Sequence, residues 1–134
     1  MNTKPMLSVN DVQAVLDAAR RHAEQNKWPV TIAVADDGGH LLGLVRLDGA
    51  APLSAHIAPA KARSAALGRR ESKGFEDIIN QGRYAFLSAP LEGMLEGGVP
   101  IVHEGHVVGA VGVSGVKSDE DAQIARAGIA ALQA

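Results

Sequence analysis

The chain has no cysteine, and among its 134 residues only four are aromatic, one Trp, one Tyr and two Phe. The first absence excludes disulfides, thiolate nucleophiles, cysteine-ligated zinc and covalent C-x-x-C-H haem attachment, so any bound haem would be non-covalent. The second leaves core formation to aliphatic residues and alanine. Charge of one sign is lacking as well: the formal net charge is -2, which gives no electrostatic footprint for nucleic acid. There is no apolar run of signal-peptide or membrane-spanning length, so the expectation is a cytoplasmic protein with no membrane partner. With 46% hydrophobic and 21% charged residues the composition is that of an ordinary globular chain, and the length suits one domain over 1–134.

What is present is well patterned. Val9, Val12, Val15, Leu16, Ala19 and Ala23 recur at helical spacing after a capping Ser8, and Pro29 closes the segment. "VTIAVAD" and "HLLGLVRLD" read as strands of a hairpin turned by Asp37, Gly38 and Gly39. "LSAHIAPAKARSAALGRR" reads as an alanine-rich helix with a small-residue stripe, Ala55, Ala58, Ala62 and Ala65; Pro59 predicts a kink or a helix start close by. "GFEDIINQ" adds a short helix and "YAFLS" a weak strand. "VPIVHEGHVVGAVGVSG" gives two strands around Glu104-Gly105, and a last helix is expected to be capped by Ser118, with three acids in its first turn. Hairpins separated by helices predict a mainly antiparallel α+β domain.

Several residues are candidates for chemistry. Along the second strand His40, Leu42, Leu44 and Arg46 share a face, so Arg46 either snorkels or binds an anion; Asp36, Asp48 and Glu71 are its ordinary ion-pair alternatives. Lys61 and Arg63 interrupt the alanine-rich helix, and packing on the hairpin would bring one of them toward Arg46 around a carboxylate or propionate. His22 sits near the apolar stripe of the first helix, and His56 shares a helix face with Arg63. His103 and His106 are opposed across their hairpin, which is half a metal site at most, since zinc takes three or four ligands. "GVSGVKSDED" has the strand-to-helix position of a phosphate loop, but Asp119, Glu120 and Asp121 put negative charge where the phosphate would go. No nucleophile-elbow pattern appears.

Taken together, "VTIAVADDGGHLLGLVRLDGA", "SAHIAPAKARSAAL", "GGVPIV" and "GHVVGAVGVSGVKSDEDAQIARAG" resemble the GlcG/HbpS-like family, which includes the C-terminal domain of PduO-type proteins. The resemblance runs from Val9 into the last helix. It implies a profilin-like layered domain with a five-stranded antiparallel sheet, assembled as a dimer or higher homo-oligomer, and a tetrapyrrole ligand, haem before cobalamin. Basic residues Arg46, Lys61 and Arg63, with Asp36, are the implied ligand-binding set. Of the histidines, His22 is placed ahead of His56 as metal ligand because a macrocycle could be covered at the edge of an apolar stripe. Two other readings stand beside it. One is a small lyase acting on a carboxylate such as a hydroxylamino-aromatic acid, with Arg46 or Lys61 holding the acid and Asp36 or a histidine moving a proton; the other is an accessory partner of an oxidase with no ligand of its own. The small residues Ala55, Ala58 and Ala62, with Gly109 and Gly112, are expected to mediate assembly.

Overall fold

A computed structural model describes residues 1–133. The first helix, α1 (Val9–Gln25), starts where the capping pattern says it should: Ser8 Oγ accepts from the Asp11 N–H at 3.1 Å, and Asp11 Oδ2 accepts from the Ser8 N–H at 2.8 Å. Its buried stripe is Val12, Val15, Leu16, Ala19 and Ala23. β1 (Thr31–Asp36) and β2 (Leu41–Arg46) form the first hairpin, α2 (Ser54–Gly68) and α3 (Lys73–Asn80) follow, then β3 (Gly98–His103), β4 (His106–Ser114) and α4 (Ser118–Ala130). All neighbouring strands are antiparallel in the order β2-β1-β4-β3, so the two hairpins join through their inner strands. Among the described residues no helix is long and apolar enough to cross a membrane.

The two faces of the sheet are chemically different. Ile32 and Val34 of β1, with Val111 and Val113 of β4, form one aliphatic core with Val15 and Ala19 of α1 and Ile124 and Ala125 of α4. Burial of each large side chain there stabilises the fold by roughly 1.5–3 kcal/mol. The other face is lined by small residues, and α2 lies directly on it. A Cβ on Gly112 would collide with the Ala58 carbonyl oxygen and sit 2.5 Å from the Ala62 nitrogen; one on Gly98 would collide with the Lys61 carbonyl. Of the small residues expected to mediate assembly, Ala58 and Ala62 are fully buried and pack on Gly112 inside one chain, while a Cβ on Gly109 would meet the Ala35 carbonyl and Leu7 instead of α2.

Two expectations about this layer need correction. Among the described residues the sheet has four strands, not five. "YAFLS" is a 3-10 helix, Tyr84–Ser88, because Phe86 stacks on Phe75 of α3 with centroids 5.4 Å apart, which docks the segment on a helix instead of a sheet edge. α2 continues through Pro59, which lies in its second turn, where a missing N–H leaves the Ala55 carbonyl without its helical donor. At the last helix the cap position is Lys117, one residue earlier than expected, and Glu120 reaches back to accept its N–H at 3.3 Å.

Candidate ligand site at the first hairpin turn

Asp36, the last residue of β1, organises the turn to β2. Its Oδ1 accepts from the backbone N–H of Gly38 and of His40, both at 2.9 Å, and lies 3.2 Å from His40 Nδ1. With the proton on Nδ1, donated to Asp36, the imidazole is oriented and Nε2 is left as an acceptor, the arrangement in which a carboxylate presents a histidine to a metal. Gly39 adopts φ +81°, and a Cβ there would come 2.8 Å from Arg63 Cγ, so the turn rests on the stem of Arg63 from α2. Asp37 follows in the same turn. It accepts from Lys4 Nζ at 2.7 Å, and its backbone carbonyl accepts from the guanidinium of Arg69. The hydrogen bond from Lys4 is the main cause that holds the Asp37 carboxyl below its ordinary value, and the charges of Lys4 and Arg69 add to it.

Beside this turn runs a groove of about 480 Å³ with Met6, Leu7, Leu42, Leu67 and Val108 among its apolar residues and His40, Lys4, Arg69, Asp36 and Asp37 among its polar ones. An apolar trough with a few placed polar groups, within the range of about 300–1,000 Å³ typical of small-molecule sites, suits a flat apolar ligand with charged substituents.

The sequence-predicted residues divide three ways. Asp36 and Arg63 meet at this turn. Arg46 lies at the far end of β2, on a different groove, and it has no ion-pair partner within 4 Å among the described residues: Asp36 is taken by His40 and Glu71 by Arg126. Lys61 is in the interior, 3% exposed, its Nζ donating to the Val113 carbonyl at 2.9 Å and to Asp121 Oδ2 at 3.0 Å. It does not line the groove that holds Arg46. His22 turns toward Trp28, ring centroids 6.0 Å apart, and its Nε2 is shut off from solvent with no partner among the described residues. His56 is on the outer, exposed side of α2.

His103 and His106 are paired in register as expected, with Glu104 at φ +50° and Gly105 at φ +79° in the turn. Among the described residues no three His, Cys, Asp or Glu side chains cluster as a metal would need. Sequence reasoning missed the Asp36–His40 pair as a unit, together with Lys4 and Arg69. The available signal was an Asp four residues before a His across a two-glycine turn.

Residues 7–130 match the family model described as "Haem degrading protein HbpS-like". The chain belongs to the HbpS-like family. Protein GlcG of Escherichia coli (strain K12) is 56% identical over 114 residues, 85% of each chain. The HbpS-like fold is seen again in a crystal structure of a double mutant of Streptomyces reticuli HbpS, with a TM-score of 0.89 at 30% identity over 98% of this chain and 90% of that one. A crystal structure of a PduOC–haem complex superposes with a TM-score of 0.85 at 26% identity over 95% of each chain. The turn, α2 and both hairpins described above all fall inside the matched HbpS-like residues.

Proposed function

We propose that this protein binds haem non-covalently in the groove beside the β1–β2 turn, with His40 Nε2 toward the iron. The observation that carries the reading is the Asp36–His40 pair: a carboxylate 3.2 Å from Nδ1 fixes the ring and leaves Nε2 unencumbered on a residue that lines the groove. The haem complex of the structural relative PduOC and the family model support the choice of ligand. Met6, Leu7, Leu42 and Leu67 would cover the macrocycle, while Arg63, whose stem props the turn, would supply positive charge for its carboxylates; Lys4 and Arg69 at the groove are already paired with Asp37. On this reading His40, and not His22, has the ligand role, since His22 Nε2 is enclosed and His56 stands on an open helix face.

The His40 side chain is 82% exposed, so a haem held by one chain would keep a wet face. Self-association is the natural cover: β2 exposes Leu41, Leu42 and Leu44 along the sheet edge, and Leu42 lines the groove. Hemin titration followed at the Soret band tests the reading. The parent chain should give a shifted, saturable band; His40→Ala should return the spectrum toward non-specifically bound hemin, and His22→Ala should leave it unchanged. The reverse pattern would return the ligand role to His22.

A further inference from the structure

The largest groove described on the molecule is not the one at the turn. It has a volume of about 560 Å³ and lies between the end of α1 and the end of β2, with Trp28 and Val45 among its apolar residues and Lys27, Arg46 and Asp48 among its charged ones. The chain's single tryptophan is therefore at this site. Trp28 packs against the aliphatic core, and His22 lies tilted against it at 59°, so the indole is held in place from within the fold. Arg20 also borders the groove, but it is engaged by Glu24 at 2.7 Å. Lys27, Arg46 and Asp48 have no ion-pair partner within 4 Å among the described residues, in contrast to Lys4, Arg69 and Arg126, each of which has one.

Lys27 also has φ +58°, in the left-handed region where glycine is the usual occupant after a helix. Lys27 is one of the residues lining the groove. Two unpaired cations and an indole ask for a ligand that combines negative charge with a flat ring. A carboxylate has two oxygens, both of which a single guanidinium can take bidentately, whereas a phosphate monoester has three and can serve a guanidinium and an ammonium together. Asp48 is an acceptor for a hydroxyl on the same ligand.

We infer that the Trp28–Lys27–Arg46 groove is a second ligand site, separate from the turn, that takes a nucleoside monophosphate, with the base against Trp28, the phosphate at Arg46 and Lys27, and a sugar hydroxyl donating to Asp48. The single tryptophan makes the test direct, because base stacking on Trp28 quenches the only indole emission in the chain. AMP should quench saturably and bind at least about tenfold more tightly than adenosine, which lacks the phosphate, or inorganic phosphate, which lacks the ring, a difference of about 1.4 kcal/mol. Arg46→Gln should reduce AMP to the adenosine level, and Arg46→Lys, which keeps the charge but not the fork, should retain part of the gain. Both substitutions are at an exposed side chain, and unchanged far-UV circular dichroism will show that the fold is intact. His40→Ala should bind AMP as the parent does, so loss of the Soret shift and loss of AMP binding report on different sites. The inference is overturned if AMP binds no more tightly than adenosine, if Arg46→Gln binds AMP as the parent does, or if benzoate matches AMP.

Discussion

Replacing Lys61 by Met should destabilise the protein severely while leaving its surface chemistry alone. Lys61 and Asp121 are 3% and 2% exposed, and their contact at 3.0 Å ties α2 to α4 past the end of β4. Met fills much of the same volume, so the loss is electrostatic: an Asp121 carboxylate left in the interior with only the Val116 N–H at 3.2 Å to stabilise it, and a Val113 carbonyl deprived of its ammonium donor. Breaking a buried pair from one side costs about 3–5 kcal/mol, which for a domain of this size lowers the melting temperature by roughly 10–20 °C. The pH dependence gives a second handle. Burial is the main cause that raises the Asp121 pKa above its ordinary value of 3.8, and the charge and hydrogen bond of Lys61 oppose it. Removing Lys61 removes that opposition, so the folded state of Lys61→Met holds its proton to higher pH than the unfolded state. A folded-state pKa above the unfolded one means stability rises as pH falls through the folded value and levels off below the unfolded one. The deficit of Lys61→Met should therefore shrink on acidification toward pH 3.8. Lys61→Met combined with Asp121→Leu should recover most of the loss, to within about 1–2 kcal/mol of the parent, and should bind hemin normally. Urea unfolding across pH measures all three chains. A loss under about 1 kcal/mol for Lys61→Met, far below the buried-pair range, or a deficit that does not change with pH, would refute the reasoning.

Gly112→Ala should cost about 1–3 kcal/mol, toward the upper end, because its methyl meets the backbone of α2 at Ala58 and Ala62, which cannot rotate aside as a side chain could; thermal unfolding reads this, and a change within about 0.5 kcal/mol, the size of a neutral surface substitution, would mean that α2 does not lie so close. Acid unfolding should begin as pH falls below 3.8, because Asp37 and Asp11 are held below that value, Asp37 chiefly by Lys4 and Asp11 chiefly by the Ser8 N–H, and the stability they contribute is lost as pH drops through their folded values; Asp37→Asn should remove part of that acid dependence in a pH series of melting temperatures. Light scattering at micromolar concentration should report at least a dimer, and Leu42→Lys with Leu44→Lys on the exposed edge strand should shift it toward the 13.9 kDa monomer.

How much of this was legible depended on whether a residue's partner lay close in sequence. α1 could be read from Ser8 to Ala23 because capping and helical periodicity are local, and the β3–β4 hairpin because its turn brings His103 opposite His106 within three residues. The i,i+4 spacing of Asp36 and His40 is equally local, yet alternation along β2 points to Arg46, on the face of Leu44, instead of to the turn. Lys61 was the reverse case. A lysine in an alanine-rich helix reads as a solvated cation, and nothing in its neighbourhood names Asp121, 60 residues on, as the group that takes it into the interior. The small-residue stripe of α2 shows the same limit from the other side: smallness is visible in the sequence, but the surface it admits is not, and here it is β4 of the same chain. That close approach has a consequence for the site. α2 lies low on β4 and β1 and touches β2 only slightly, so the outer strand keeps Leu44 exposed while the turn beyond it is propped on Arg63. The Asp36–His40 pair therefore stands on a rigid helix–sheet contact at one end of an open edge, where a fixed imidazole and an uncovered apolar surface meet.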